Sequence, residues 1–195
     1  GYTGTVLFKG GEIRCRDVRE QQLRGISIIF QETNLLRNLT VAENIFLGRQ
    51  PVNAFGQIDW KGMDHQARRL LDSINSPIPE AAPVSALSVG QMQMVGIAKA
   101  ISFDSDVIIM DEPTSALTGV EVEGLLRSID MLKATGVGIV SSSHRLEDIL
   151  RVAARVTVLR AGRYLQTVSA ADTPADHLIH SIVGRDPSDR LLKEH

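Results

Sequence analysis

The chain has 195 residues, of which 43% are hydrophobic and 23% charged, and this ordinary globular mixture excludes intrinsic disorder and collagen-like repeats. Such a length holds one well-packed domain, or one domain with an inserted lobe, but not two full domains. A formal net charge of -2 lacks the basic footprint of nucleic-acid binding, and the single cysteine, Cys15, excludes an internal disulfide.

The first part of the sequence predicts a hairpin, a strand and a helix. Residues 2–8 alternate apolar and small side chains before the glycines at 10–11, which indicates a β-hairpin with a glycine turn. Residues 26–30 are typical of a short buried strand. The string Thr-Val-Ala-Glu at 40–43 is a capping box, and it predicts a helix that ends near Gly48.

Two longer helices are predicted next, the first from Asp59 and the second from Ser88, with chain-breaking prolines between them. Each has an apolar face at helical spacing, which predicts that one side of the helix is buried. The faces consist of Trp60, Met63, Ala67, Leu70, Leu71 and Ile74 in the first helix and of Met94, Ile97, Ala98 and Ile101 in the second.

Beyond residue 105 strands and helices alternate. The strands are predicted at 107–110, 137–141 and 156–159, and the helices between them at 122–132 and 146–152. This βαβαβ order predicts a parallel sheet covered by helices. The sequence then predicts an antiparallel edge strand at 164–168 and a terminal helix that buries Leu178, Ile179, Ile182 and Val183 and ends at Gly184.

Two adjacent carboxylates, Asp111 and Glu112, follow the apolar strand at 107–110. Ligands of open α/β sheets bind at the carboxyl ends of the strands. Successive residues leaving a strand point apart, so Asp111 can hold Mg²⁺ through water while Glu112 polarises an attacking water. The alternative is that a strand end is acidic only because it is solvated, and the pair alone does not decide between the two interpretations.

Three other features carry weaker signals. The string Ser-Val-Gly-Gln at 88–91 opens a helix whose first turn offers free N–H groups, a hydroxyl and a glycine, which suits a phosphate. His144 leaves one predicted strand and can donate a hydrogen bond to a phosphate oxygen. Gln31 leaves another strand and can reach a metal or its water. An ordinary serine cap, a structural histidine and a surface glutamine are the respective alternatives.

Taken in order, these features resemble the motifs of ABC ATPases, and the resemblance spans nearly the whole chain. The corresponding motifs are a Q-loop at Gln31, a signature at Ser88, Val89, Gly90 and Gln91, a Walker B pair at Asp111 and Glu112, a D-loop at Ser115, Ala116 and Leu117, and a switch histidine at His144. The resemblance implies an α/β, P-loop NTPase-like fold with a mainly parallel sheet and an N-terminal β-hairpin. It places the α/β core at 1–32 and 106–195 and an inserted helical subdomain at 33–105.

The resemblance also implies roles for the residues at the strand ends. Two nucleotide-binding domains would sandwich ATP, with half of each site supplied by each domain. Asp111 would sit near Mg²⁺, and Glu112 would be the general base or the residue that orients water. His144 would contact the γ-phosphate. Gln31 would approach the metal and couple the site to the membrane partner.

The signature would act on the other domain's nucleotide, through Ser88, Val89, Gly90 and Gln91, and Ser115 would lie at the dimer seam. The partners so implied are a second nucleotide-binding domain, as a tandem half or a homodimer, and transmembrane permease subunits, with no nucleic acid. The longest apolar runs of the sequence are too short to cross a bilayer. We therefore expect a cytoplasmic protein, peripheral on the inner face of a bacterial plasma membrane.

Several strings are similar to the first nucleotide-binding domain of tandem simple-sugar importer ATPases, of the ribose, galactose or xylose type. They lie at 30–32, 40–48, 58–60, 97–100, 111–118 and 183–185. This likeness implies carbohydrate import and an indirect partnership with a periplasmic sugar-binding protein. Val89 departs from the doubled glycine of the commonest signature, which we interpret as tuning of the motif.

The phosphate-gripping string G-x-x-x-x-G-K-[ST], or Walker A motif, does not occur in the 195 residues. In the family it precedes a hairpin like the one at the start of this sequence, so we expect the first strand and the Walker A helix to be missing. These residues alone would then bind ATP weakly and lack activity, because the loop and the lysine that hold the phosphates are absent. They would also have low stability, because an interior strand is absent. Two alternatives stay open, a non-catalytic remnant that acts as an interaction module and a non-transport ABC ATPase.

Overall fold

The computed structural model describes residues 4–15, 17–31, 34–143 and 145–183. The strands are β1 (Leu7–Phe8), β2 (Gly11–Glu12), β3 (Ile26–Ile29), β4 (Val107–Asp111), β5 (Gly138–Ser142), β6 (Arg155–Arg160) and β7 (Arg163–Ser169). The helices are α1 (Val18–Leu23), α2 (Val41–Ile45), α3 (Trp60–Asp72), α4 (Val89–Ile101), α5 (Gly119–Ala134), α6 (Leu146–Val152) and α7 (Ala175–Val183). The chain divides into two compact units, Gly1–Ser142 and Ser143–His195.

The first unit is built on a parallel sheet in the order β3-β4-β5. The central strand β4 pairs with both neighbours, so that Met110 lies beside Ile29 on one side and beside Ser141 on the other. Ile108 and Met110 are fully buried, which fits the apolar character of a strand with both faces covered. The N-terminal hairpin of β1 and β2 forms a separate antiparallel pair, as predicted.

Helices cover this sheet and form a cluster of their own. The helix α4 contacts β3, α2, α3 and α5, and α5 contacts β5. The apolar stripe of α5 is buried as predicted and consists of Val122, Leu125, Leu126, Ile129 and Leu132. Burial of each such side chain contributes about 1.5–3 kcal/mol. Among the described residues, no helix combines the length and the apolar character that a bilayer crossing requires.

Helices α2, α4 and α5 each begin with a capping box, in which the side chains at the first and fourth positions each bond the other's backbone N–H. The pairs are Thr40 and Glu43, Ser88 and Gln91, and Thr118 and Glu121. The predicted box at 40–43 is therefore confirmed. The helix ends at Ile45, earlier than predicted, and the chain turns before Gly48, which has φ of 74°.

The predicted faces of α3 and α7 are only partly buried. In α3 the buried face begins at Met63, one turn after Trp60, whose side chain is 53% exposed. In α7 burial is concentrated at Leu178, while Ile179 and Ile182 are 45% and 49% exposed. Helical spacing alone does not show how much of an apolar face is covered by a neighbouring element. The predicted helix end at Gly184 and the side chain of Val183 lie outside the described residues.

The second unit contains an antiparallel hairpin, β6 and β7, and the helices α6 and α7. Its core consists of Val156, Val158, Ala170 and Leu178. The strand β6 pairs with β7 in a two-stranded antiparallel sheet, which confirms the predicted antiparallel hairpin. A tight turn, in which Ala161 and Gly162 both have positive φ, returns the chain directly alongside β6, as in two-residue hairpins.

The entry into β4 depends on Gly25, which has φ of 91° and whose carbonyl accepts hydrogen bonds from Asp106 N and Val107 N at 2.8 and 3.0 Å. A Cβ at this position would overlap the Asp106 carboxylate. We expect Gly25→Ala to lower the free energy of unfolding by about 1–3 kcal/mol, through strained backbone and steric overlap. Urea denaturation of the full-length protein measures this difference.

Gly119→Ala is the matched control, because a Cβ at Gly119 would have no neighbour within 4 Å. We expect the urea midpoint of unfolding of that variant to equal that of the wild type or to lie slightly above it. Equal destabilisation by the two substitutions would show that Gly25 has no special backbone role.

Candidate functional site

The candidate site lies at the carboxyl ends of β3, β4 and β5. The pairing register places Asp111, the last residue of β4, beside Ser142, the last residue of β5. Gln31 follows β3 by two residues, on the same edge. Polar side chains leaving three adjacent parallel strands are thereby collected at one rim, which is where ligands of open α/β sheets bind.

Ser142 links the two adjacent acids of this rim. Its Oγ donates a hydrogen bond to Asp111 Oδ1 at 2.7 Å and accepts one from the backbone N–H of Glu112 at 3.1 Å. Glu112 has φ of 44°, a left-handed conformation that is uncommon outside glycine. Such backbone strain concentrates at functional sites.

A second set of contacts joins the first strand to the segment after the acids. Gln31 Nε2 donates a hydrogen bond to Ser115 Oγ at 3.3 Å, and the Ser115 N–H donates to the Glu112 carbonyl at 3.2 Å. The structure therefore brings Gln31, Asp111, Glu112 and Ser115 into one cluster. His144 also belongs to the predicted set, but it lies outside the described residues.

The string at 88–91 lies at the start of α4, where Ser88 is the N-cap. Ser88 Oγ accepts from Gln91 N at 3.2 Å, and Gln91 Oε1 accepts from Ser88 N at 2.9 Å. Val89 is 46% exposed, while Gly90 is buried. The Ser88 hydroxyl also donates to Glu121 Oε1 at 2.7 Å. The signature-like string thus contacts the start of α5, close to the segment that contains Ser115.

Glu121 is the most strongly perturbed acid for which a shift is resolved. The backbone N–H of Thr118, the hydroxyl of Ser88 and the hydroxyl of Thr118, in that order, lower the pKa of Glu121 to about 2, and the N–H of Gly90 adds a smaller effect. The two Thr118 contacts to Oε2 measure 3.0 and 2.9 Å. Hydrogen bonds to the charged form stabilise it, which is why this exposed carboxylate stays ionised.

Sequence reasoning missed Ser142 and Glu121. Ser142 lies in a run of three serines after an apolar strand, and its partnership with Asp111 depends on a strand register that the sequence does not contain. Glu121 was accessible as the fourth residue of the pattern Thr118-x-x-Glu121, which is a capping box. Its contact with Ser88, which lies 33 positions away, leaves no pattern in the sequence.

The donor set at the rim suits a hard cation. Asp111, Glu112 and Gln31 offer oxygen atoms, which Mg²⁺ prefers, and Mg²⁺ is usually held by one or two carboxylates together with substrate phosphates and water. In the described part of the chain, histidine, cysteine and acidic side chains form no group of three or more that could hold a metal by itself. The rim therefore offers oxygen ligands of the kind that Mg²⁺ uses.

Solved structures define the class of the fold. An ATP-binding cassette of an ABC transporter, MJ1267 in its ADP conformation, matches with a TM-score of 0.75 and 20% identity over 98% of this chain and 78% of that chain. The structure of cbiO1 from Clostridium perfringens, part of the ABC transporter complex cbiONQ, matches with a TM-score of 0.73 and 23% identity over 99% and 77%. The fold is thus the α/β, P-loop NTPase-like fold of ATP-binding cassettes, as predicted.

A third similar structure is a dimer of the cassette MJ0796 in a post-hydrolysis state with ADP and Pi, with a TM-score of 0.69 and 23% identity over 86% of this chain and 74% of that chain. The family model described as ABC transporter matches residues 1–115, more than half of the sequence. The chain therefore belongs to the ABC transporter family, and it is an ATPase cassette of such a transporter. Cassettes of this family bind and hydrolyse ATP.

The depressed pKa of Glu121 predicts a specific acid sensitivity. A carboxylate whose pKa falls from 4.5 to about 2 on folding stabilises the native state fully above pH 4.5, and this contribution is lost as the pH falls towards 2. We expect the free energy of unfolding of Glu121→Gln to fall less steeply over that window than that of the wild type. Urea denaturation at a series of pH values measures both slopes.

Glu43→Gln provides the control, because Glu43 holds the same capping-box position in α2 without a contact to Ser88. Parallel curves for wild type and Glu121→Gln would contradict the assignment.

Proposed function

We propose that this cassette is the ATP-hydrolysing subunit of an ABC importer that drives carbohydrate uptake. The nucleotide site is supported by one observation, the rim at the carboxyl ends of the parallel strands. Hydrogen bonds through Ser115 and Ser142 connect the residues of this rim, which are Gln31, Asp111, Glu112 and Ser115. Family membership supplies ATP as the ligand. The rim supplies the acids and the amide that phosphate transfer to water needs.

Each member of the rim has a distinct task in this proposal. Asp111, held by the Ser142 hydroxyl, would bind Mg²⁺, which supplies charge neutralisation for the nucleotide phosphates when it is bound. Glu112 would take the proton of the attacking water or orient that water. Gln31 would contribute an amide oxygen towards the metal and couple the site to the membrane subunits. His144, two residues beyond Ser142, would contact the γ-phosphate.

The signature residues Ser88, Val89, Gly90 and Gln91 would serve the nucleotide of a second cassette. The first-turn N–H groups and the positive end of the helix dipole at the start of α4 suit an anion. Ser115 would lie at the seam between the two cassettes. The dimeric state of a similar cassette with ADP and Pi supports this arrangement.

The carbohydrate assignment rests on the strings that are similar to simple-sugar importer ATPases, among them those at 40–48, 58–60 and 111–118. The proposed partners are a second nucleotide-binding domain, transmembrane permease subunits and, indirectly, a periplasmic sugar-binding protein. The cassette would then sit on the inner face of the plasma membrane. In this proposal residues 1–32 and 106–195 form the α/β core and residues 33–105 the helical subdomain.

We expect Glu112→Gln to leave ATP binding by the full-length protein nearly unchanged and to slow ATP turnover by about a hundredfold or more, because a catalytic base is lost. Phosphate release measures turnover, and equilibrium dialysis measures binding. Asp172→Asn, which changes an exposed acid of the second unit, should leave both at wild-type values. If Glu112→Gln hydrolysed ATP at the wild-type rate, Glu112 would not be the catalytic base.

The carbohydrate assignment is tested by uptake. Cells that carry the Glu112→Gln allele should lose accumulation of one labelled simple sugar, such as ribose, galactose or xylose, and keep accumulation of an unrelated amino acid. Normal uptake of all simple sugars, together with loss of another solute, would reject the carbohydrate class and leave the ATPase role standing.

Ser88→Arg should block ATP-dependent dimer formation without unfolding the cassette, because a long cation would fill the space at the start of α4. Light scattering with and without ATP measures the dimer, and circular dichroism checks the fold. Ser73→Arg, at an exposed serine after α3, is the matched control and should dimerise normally. Dimer formation by Ser88→Arg would show that Ser88 does not face a second cassette.

A further inference from the structure

The start of α4 already holds a negative charge that belongs to the chain itself. Glu121 Oε1 accepts a hydrogen bond from the Ser88 hydroxyl at 2.7 Å. A Cβ placed on Gly90 would lie 2.5 Å from Glu121 Cδ, so the carboxylate rests directly over the first turn of α4. The absence of a side chain at Gly90 is what makes this close approach possible.

A nucleotide phosphate would use the same donors as this carboxylate. The Ser88 hydroxyl and the N–H groups of the first turn, including that of Gly90, are the groups that the start of α4 offers to an anion. A carboxylate and a phosphate are both negatively charged, and they cannot share these donors without strong repulsion. Phosphate binding at Ser88 therefore requires Glu121 to leave.

The surroundings offer a place for the displaced carboxylate. A cavity of about 200 Å³ borders Glu121, Gly90, Gly124 and Arg127. A Cβ added to Gly124 would lie 4.0 Å from the Arg127 guanidinium. Gly124 is about one helical turn beyond Glu121. Within the described residues no ion pair includes Arg127, whose side chain is exposed. Gly124, which lies between the two along α5, contributes no side chain that could separate the acid from the guanidinium.

We propose that Glu121 is an internal competitor that occupies the signature phosphate site before nucleotide arrives and moves towards Arg127 when the second cassette's nucleotide binds. This inference rests on the proposed role of Ser88 towards that nucleotide. The exchange sets the ATP concentration at which two cassettes close. It also links the signature helix to the D-loop segment, because Thr118 donates to the same carboxylate.

The test compares ATP-dependent dimer formation by full-length proteins that carry Glu112→Gln to suppress turnover. Adding Glu121→Gln removes the competing charge while glutamine keeps the capping-box geometry, as Gln91 does in α4. We expect the ATP concentration for half-maximal dimer to fall about two- to fivefold, as the loss of a charge at a helix end implies. Adding Glu43→Gln instead should leave it unchanged, and adding Arg127→Met should raise it by a similar factor.

An unchanged or higher ATP requirement in the Glu121→Gln variant would overturn the competition. An unchanged requirement in the Arg127→Met variant would overturn the movement towards Arg127. If no variant forms a dimer with ATP, the proposed role of Ser88 itself has failed.

A second measurement does not depend on dimer formation. Inorganic phosphate is titrated into isotope-labelled full-length protein while the amide resonance of Gly90 is followed. Glu121→Gln should reach half-saturation at an about two- to fivefold lower phosphate concentration than wild type. Equal phosphate titrations of the two proteins would overturn the competition by Glu121 even if the proposed function stands. A lower half-saturation in Glu121→Gln, together with no ATP-dependent dimer, would support the competition while the proposed function fails.

Discussion

The pairing of β4 with β3 and β5 is the constraint on which the candidate site depends. Ile108 and Met110 are fully buried in this central strand, and the hydrogen bonds to both neighbouring strands fix the register of β4. A shift of one residue would move Ile108 and Met110 out of the buried positions that they fill and would also separate Asp111 from Ser142. The energy of the core therefore holds the acid in place.

A second constraint is electrostatic and joins two helix starts. The carboxylate of Glu121 receives hydrogen bonds from the cap residue of its own helix, Thr118, and from Ser88, the cap residue of α4. One charged group thus satisfies donors at the positive ends of two helices. The helical cluster and the segment after the acids are connected at this point. In the proposal above, the same contact would control the access of a phosphate to Ser88.

Much of the fold could be predicted because local patterns reflect local physics. The box at 40–43 and the cap at Asp59 begin helices where the sequence indicates, and the apolar run at 107–110 forms the central strand. Prediction failed where a distant neighbour decides the outcome. Trp60 stays half exposed although its spacing places it on the apolar face, and Ile179 and Ile182 of α7 are likewise only half buried.

The sequence by itself determined the order of the motifs, the α/β class and the positions where polar side chains leave strands, because each depends on residues close together in the chain. Only the tertiary structure decided which side chains meet. Ser142 reaches Asp111 through a parallel register, and Glu121 reaches Ser88 across 33 positions. Neither contact leaves a periodic signal, since long-range partners are selected by the packing of whole elements.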